Sequence, residues 1–492
     1  RQTGGGEGSP AGGGVLHIAI TPQPPAIDPM VTTAIASVII SRNVLETLLT
    51  FDNNYKISPM LADSYNVSPD GKTITIKLRQ GVKFHNGQDL TANDVVASIN
   101  RYVARSPYGV SLKSASISAS DTSTVVIELP EPSYAPLYSL AMPSAVIMPE
   151  SVIANAPDTG VTEPVGTGPF AFVKWELDQY VHLKKYDGYQ PSPLPSSGLA
   201  GKREALVDEV FFYFVTDSST RIAGLVSGEY DIITNIPIDN YSQLYANSNV
   251  EISNIKTNSL HMVFNKKEGA VANPLMRQAV NAALNNEEIL IAAFSGPDFF
   301  LMDHGLMFRE VTDWYTDVGK EYYNQKNPER AKQLLDQAGY KGETIRILTS
   351  RDYDFIYSAS LVIQRQLQQA GMNAELLVYD WATLNQKRTE PGSWEIFLTF
   401  LSVFKDPSQL IPFNPAWPGW SEDPKLNGLF AQMLASATVE EAKRYFEELQ
   451  RYNWEEYLAY NVIGKFSDLN AYRSNVKGLE FNDGPIIWNV SK

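Results

Sequence analysis

Alternating apolar and polar residues predict a half-buried strand at Thr73–Leu78. Its isoleucines and leucine take alternate positions, with threonine and lysine between them, as in a strand with one buried face. Thr91 then stands three residues before Asp94, the spacing of a helix capping box with Asp in place of Glu or Gln. Apolar residues follow at helical spacing. Residues 71–102 are therefore predicted to form a strand, a turn, a short strand at 82–85, a loop and a capped helix.

Strands and helices alternate in several other parts of the chain. A first strand is predicted at residues 15–20 and a helix at 37–49. Strand, helix and strand are predicted at 208–216, 217–227 and 230–234, which fits a parallel crossover. Strands at 344–349, 374–379 and 394–400 alternate with helices at 355–370 and 381–390. Short apolar strands alternating with helices are typical of a parallel sheet covered on both faces, so we expect an α/β fold.

Residues 166–171, GTGPFA, match the G-x-G-x-x-A pattern of dinucleotide-binding loops. Such a site requires a helix to begin at the glycines, so that the pyrophosphate meets its N-terminus. Residues 170–175 and 180–183 instead alternate in the manner of strands. We therefore reject a nucleotide site and expect no cofactor.

The length and charge of the chain restrict its class. At 492 residues it exceeds what one hydrophobic core usually serves, so two or three domains are expected. A net charge of −15 disfavours nucleic acid or an anionic membrane surface as a partner. The absence of cysteine excludes disulfides and thiolate chemistry. No apolar run is long enough to span a membrane.

Catalytic motifs are absent from the sequence. It contains no H-E-x-x-H, G-x-S-x-G or P-loop, and no two of its five histidines stand at i, i+4. We therefore expect no metal site and no enzyme activity. A glycosidase with two carboxylates distant in sequence stays open as an alternative, because such pairs need not be close in the chain.

Residues 81–102, GVKFHNGQDLTANDVVASINRY, resemble the signature of the family 5 extracellular solute-binding proteins, which serve peptide, nickel and oligopeptide ABC importers. The family's pattern is roughly G-V-x-F-H-[DN]-G-x-x-[LF]-T-A-x-D-V-x-x-S. Within this motif the resemblance implies a structural role for His85. NVLETLLTFD at 43–52, GTGPF at 166–170 and VTDSSTRIAGLVSGEYDII at 215–233 also look like segments of that family. The resemblance covers nearly the whole chain.

The resemblance implies a periplasmic-binding-protein-like fold, with two α/β lobes, a hinge and an inserted additional domain. Residues 1–14, which are rich in glycine, are predicted to be a flexible tether. The first lobe would be discontinuous, comprising 15–50, 165–256 and 460–492. The inserted domain would span 51–164 and the second lobe 257–459. The chain crossings near Gly166 and Thr257 would form the hinge.

By resemblance, the protein captures a peptide-class solute or conjugate in an interlobe cleft and delivers it to an ABC permease and ATPase. We expect a monomeric, extracytoplasmic lipoprotein, periplasmic or at the cell surface, with its lipid-bearing cysteine removed here. An oligosaccharide- or opine-binding receptor on the same scaffold is the alternative. A hydrolase of glycans or peptides and a non-transport interaction protein are more remote ones.

Ligands of open α/β sheets bind outside the carboxyl ends of the strands. In the predicted second lobe those ends carry several aromatic and charged residues, and a Pro/Gly loop with two tryptophans follows them. Met30 follows a proline-rich loop that the resemblance places beside the ligand cleft. The predicted ligand-binding residues are Met30, Arg351, Asp352, Tyr353, Tyr357, Trp381, Phe400, Val403, Phe404, Asp406, Trp417 and Trp420.

Peptide receptors that resemble this chain hold the α-ammonium of the ligand with an Asp in a motif like W-x-G-D-x-x-D-P. Here Asp406 and Pro407 match the second Asp-Pro, whereas the first Asp falls on Val403 and the Trp on Phe400. We therefore hypothesise that free dipeptides bind poorly and that aromatic side chains take a larger peptide, a glycoside or an opine-like conjugate. In the alternative, an Asp at 352, 380 or 406 binds the ammonium from a shifted position.

Overall fold

The computed structural model describes residues 13–492 and divides into two compact units. The first contains the described residues up to Ser253 and the C-terminal segment Leu469–Lys492, and the second is Asn254–Asp468. Residues 1–12 of the predicted tether lie outside the described residues. Gly13 already belongs to the folded chain, because its N–H donates to the carbonyl oxygen of Leu206 at 2.8 Å.

Eleven strands and six α-helices lie between Val15 and Tyr245 in the first unit. The strands are β1 (Val15–Ile20), β2 (Leu49–Phe51), β3 (Ile57–Pro59), β4 (Ala62–Val67), β5 (Thr73–Leu78), β6 (Ser116–Asp121), β7 (Thr124–Glu128), β8 (Phe170–Glu176), β9 (Tyr180–Lys185), β10 (Glu209–Phe214) and β11 (Ile232–Ile233). The helices are α1 (Ile35–Ser41), α2 (Ala92–Arg105), α3 (Ala135–Ala141), α4 (Glu150–Ala154), α5 (Ser218–Ser227) and α6 (Tyr241–Tyr245).

Two sheets organise this unit. In one, β1 pairs in parallel with both β10 and β11, so the predicted crossover through α5 is present. On the far side of β10, β9 and β8 add antiparallel strands. The other is an antiparallel sheet in the order β4-β5-β7-β6, within the predicted inserted domain. Gly166, one of the two predicted hinge positions, lies inside the first unit.

The second unit contains the remaining helices and most of the remaining strands. Its strands are β12 (Val250–Phe264), β13 (Phe300–Leu301), β14 (Thr344–Thr349), β15 (Asn373–Val378), β16 (Ile396–Ser402) and β17 (Tyr460–Arg473), of which β12 and β17 begin or end in the first unit. Its helices are α7 (Pro274–Ala283), α8 (Asn286–Phe294), α9 (Pro328–Ala338), α10 (Asp354–Gln369), α11 (Trp381–Lys387), α12 (Pro424–Leu434) and α13 (Val439–Tyr452). The short strands β18 (Glu480–Phe481) and β19 (Pro485–Ile486) follow near the C-terminus.

The sheet of the second unit confirms the predicted parallel arrangement. β14 pairs in parallel with both β15 and β16, and β16 pairs antiparallel with β12. The helices α10 and α11 connect these strands as the apolar spacing predicts. The α/β class is therefore confirmed.

The capped helix of the opening motif is also confirmed. The backbone N–H and the hydroxyl of Thr91 both donate to Asp94 Oδ2 at 2.9 Å, and α2 begins at the next residue. The short strand predicted at 82–85 is reduced to one bridge between Lys83 and Asp89.

The helix predicted at 37–49 is too long, because α1 ends at Ser41 and the chain then forms turns before β2. Buried Asn43 marks the break. Its Nδ2 donates to the carbonyl oxygens of Ile39 and Ile40, and its own carbonyl oxygen accepts a hydrogen bond from Phe170 N–H rather than from a further helical turn.

Candidate functional site

The carboxyl ends of β14, β15 and β16 lie at one edge of the sheet of the second unit, because the three strands are parallel. Two hydrogen bonds join the loops that leave β14 and β15. Tyr379 N–H donates to the carbonyl oxygen of Thr349 at 3.0 Å, and Trp381 N–H donates to Asp352 Oδ2 at 2.7 Å. The predicted residues from these two loops are therefore brought together.

Three predicted aromatic residues form a contiguous cluster at this edge. The ring centroid of Tyr353 lies 4.9 Å from that of Trp381 and 4.9 Å from that of Phe400, both in edge-to-face geometry. The rings of Trp381 and Phe400 are 6.0 Å apart. All three side chains are half-buried, so the cluster presents apolar surface to solvent while its rings support one another.

Arg351 and Tyr357 form a second predicted pair beside this cluster. Arg351 Nη2 donates to the Tyr357 hydroxyl at 3.0 Å, and its guanidinium carbon lies 4.7 Å from the centre of the phenol ring. Arg351 is exposed. The pair therefore holds a positive charge at the surface of the edge.

The predicted residues that follow β16 are buried in the folded chain. Val403, Phe404 and Asp406 are 6%, 8% and 1% exposed. Asp406 Oδ1 accepts the N–H of Ser408 at 2.9 Å, which caps a 3₁₀ turn. Burial of Val403 and Asp406 leaves the segment after β16 little surface with which to contact a ligand.

Trp417 and Trp420 lie at the opposite end of β16 from the aromatic cluster. Trp417 packs 5.5 Å from Phe397, the second residue of the strand, and Trp420 packs 5.8 Å from Trp394, which precedes it. The structure therefore does not group these two tryptophans with Trp381. The loop that carries them turns back along the sheet, which Pro415 and Gly419 alone do not reveal.

Met30 belongs to the first unit and is 1% exposed. Its sulfur lies 3.2 Å from Arg101 Nη1, and its N–H donates to Asp28 Oδ1 at 3.2 Å. Asp28 in turn makes a buried ion pair with Arg101 at 2.6 Å. Met30 therefore supports a buried charge pair inside its own unit.

Three further phenylalanines extend the cluster and were not among the predicted residues. Phe355 lies 5.3 Å from Phe400 and 5.7 Å from Tyr353, and it also contacts Phe466, which stacks on Phe294 at 4.5 Å. These residues come from α10, β17 and α8. Phe355 follows Tyr353 by two residues and could have been noticed, whereas the other two are too distant in sequence to signal a contact.

Within residues 13–492, no group of three or more His, Asp or Glu side chains is placed to hold a metal ion. No helix among the described residues is both long and apolar enough to cross a membrane. The edge thus offers aromatic surface, one exposed arginine and hydrogen-bonding loops, a combination suited to binding an organic solute.

The fold is shared with solved binding proteins. The ABC transporter substrate binding protein CtaP from Listeria monocytogenes superimposes with a TM-score of 0.83 at 22% identity, covering 95% of each chain. This likeness shows that the chain has the fold of the periplasmic-binding-protein class.

Sequence comparison identifies the family. The model for bacterial extracellular solute-binding proteins, family 5, matches residues 56–419, and this chain belongs to that family. It is 31% identical to a probable peptide ABC transporter periplasmic-binding protein of Sinorhizobium fredii, over 94% of this chain and 91% of the relative. It is 27% identical to the glutathione-binding protein of Salmonella typhi, over 87% and 85%.

Proposed function

We propose that this protein is an extracytoplasmic receptor that captures a peptide-class solute or a conjugate and delivers it to an ABC importer. The observation that carries the proposal is family membership together with the peptide and glutathione receptors among its relatives. The proposal contains no catalytic step. It also includes a monomeric state and a lipid anchor, which light scattering and mass spectrometry of the mature N-terminus would test.

The aromatic edge of the second unit is the proposed ligand surface. Tyr353, Trp381 and Phe400 would contact an apolar part of the solute, and Arg351 with Tyr357 would meet a polar or anionic part. This surface is supported by the ring contacts at 4.9 Å and by the exposure of Arg351. The proposal leaves out Met30, Val403, Phe404 and Asp406 because they are buried, and Trp417 and Trp420 because they lie at the other end of β16.

A thermal-shift screen followed by calorimetric titration tests this function. A ligand at about a hundred times its Kd stabilises the native state by about 2.7 kcal/mol, so a screen of tripeptides, longer peptides and conjugates should give a clear hit. Absence of any shift across those classes would contradict the receptor proposal.

A matched pair of tryptophan variants tests the surface. Trp381→Ala should weaken the hit at least about tenfold, which is about 1.4 kcal/mol. Trp417→Ala removes a half-buried tryptophan of the same unit at the other end of β16 and should leave affinity within about twofold. Equal losses in both variants would contradict the assignment of the aromatic edge.

A further inference from the structure

The carboxylate of Asp352 is already bound to the backbone of the residue that carries the largest ring of the proposed surface. Its Oδ2 accepts the N–H of Trp381 at 2.7 Å. Asp352 leaves β14 and Trp381 begins α11, so this bond fixes the first residue of one element against the loop of another. The indole then meets Tyr353, the next residue after Asp352, at 4.9 Å.

Asp380 and Asp406 are the two other carboxylates that could bind a ligand's ammonium group in place of the first Asp of the motif. Both accept hydrogen bonds from the protein. Asp380 accepts Thr383 N–H at 2.9 Å and the Thr383 hydroxyl at 2.6 Å, as the N-cap of α11. These bonds hold the pKa of Asp380 below its usual range. Asp406 is 1% exposed and caps its own turn through Ser408. Each of the three carboxylates thus has a structural donor.

We infer that Asp352 is a positioning residue that fixes Trp381 for ligand contact through its backbone bond, and that it does not bind the ligand's ammonium group. This inference deepens the proposed function and depends on it only for the ligand contact. A carboxylate and a carboxamide can both accept an N–H bond, whereas only the carboxylate supplies a negative charge. Asp352→Asn and Asp352→Ala therefore separate positioning from charge recognition.

The first measurement needs no ligand. Hydrogen exchange at the Trp381 amide should be at least about tenfold faster in Asp352→Ala than in the wild type, and near-UV circular dichroism from the Tyr353–Trp381 pair should weaken. Asp352→Asn should retain both signals. Asp354→Asn is the matched control, because Asp354 is exposed in the first turn of α10 and should leave Trp381 unchanged. An unchanged amide in Asp352→Ala would overturn the inference.

The second measurement uses two probes, a pool of tripeptides with free amino termini and the same pool N-acetylated. Asp352→Asn should keep most of the thermal shift that the free pool gives the wild type, Asp352→Ala should lose most of it, and acetylation should have little effect. Loss in Asp352→Asn equal to that in Asp352→Ala would overturn the inference, and a shift that acetylation also abolishes would then identify the ammonium group as what the carboxylate binds. If neither pool shifts the wild type, tripeptides are not its ligands, while the exchange measurement still decides whether Asp352 positions Trp381.

Discussion

His85 Nε2 lies 2.8 Å from the carbonyl oxygen of Gly168, 83 residues along the chain. The backbone N–H of His85 also donates to the carbonyl oxygen of Gly166 at 2.9 Å. His85, in the motif at 81–102, thus binds the backbone of the GTGPF segment at 166–170. The other ring nitrogen, Nδ1, is buried without a hydrogen-bond partner among the described residues. Burial accordingly lowers the pKa of His85 to about 4.

Stability should therefore fall in mild acid. Between pH 6.5 and 4 the unfolded chain binds a proton at His85 and the folded chain does not, so stability is full above pH 6.5 and decreases as the pH falls towards 4. The loss from His85 should approach about 1.4 kcal/mol per pH unit at most. His261, whose pKa burial lowers to about 3, should act in the same direction. Urea unfolding at several pH values measures the slope.

His85→Gln is the informative variant for this slope. Glutamine can still donate to Gly168 but does not titrate, so the variant should lose less stability between pH 6.5 and 4.5 than the wild type. A slope identical to that of the wild type would show that His85 is accessible to protons in the folded state.

At alkaline pH, the free energy of unfolding should depend on Lys465. Burial lowers the pKa of its ammonium group to about 8, and its Nζ lies 4.3 Å from the centre of the Phe308 ring. From pH 8 to 10.5 the unfolded chain carries this proton and the folded chain does not, so the free energy of unfolding should rise with pH. Lys465→Met should flatten the rise between pH 8 and 9.5. Persistence of the full rise in that variant would assign it to Lys266, whose pKa burial also lowers.

Two glycines that look alike in sequence should respond oppositely to alanine. A Cβ at Gly166 would stand 2.1 Å from the carbonyl oxygen of Val44, whereas a Cβ at Gly428, inside α12, would meet nothing within 4 Å. Gly166→Ala should therefore destabilise the fold by about 1–3 kcal/mol. Gly428→Ala should stabilise it by about 0.5–1 kcal/mol, since alanine loses less entropy in a helix. Denaturant midpoints measure both changes, and a harmless Gly166→Ala would contradict the close approach.

Burial should decide the value of two ion pairs in the first unit. The side chains of Asp28 and Arg101 are 0% and 9% exposed, and Asp28 also accepts Val161 N–H at 3.0 Å. Asp28→Ala leaves a buried arginine uncompensated and should cost about 3–5 kcal/mol. Asp89→Ala breaks the exposed pair with Lys83, 71% and 51% exposed, and should cost at most about 1 kcal/mol. Similar losses of stability in Asp28→Ala and Asp89→Ala would contradict the expected effect of burial on the two ion pairs.

The local pattern of the sequence determined many elements of the fold. β5 and β14 have the bounds that alternation predicts, and α2 begins at its predicted cap, because strand period, helix period and capping depend on neighbours in the chain. The parallel sheet of the second unit followed from the order of those elements. The helix at 37–49 failed because Asn43, whose side chain caps the carbonyls of α1, directs its own carbonyl to Phe170, a contact that no local pattern contains.

The sequence predicted the candidate site only in part. The sequence placed Asp352, Tyr353 and Trp381 at one edge, because parallel strands bring their carboxyl ends together. Only tertiary structure decided that Trp417 and Trp420 lie at the other end of β16, that Phe355, Phe466 and Phe294 extend the cluster, and that Asp406 is buried. Side-chain exposure and loop direction depend on packing between segments distant in sequence, and a single sequence records the residue types without that packing.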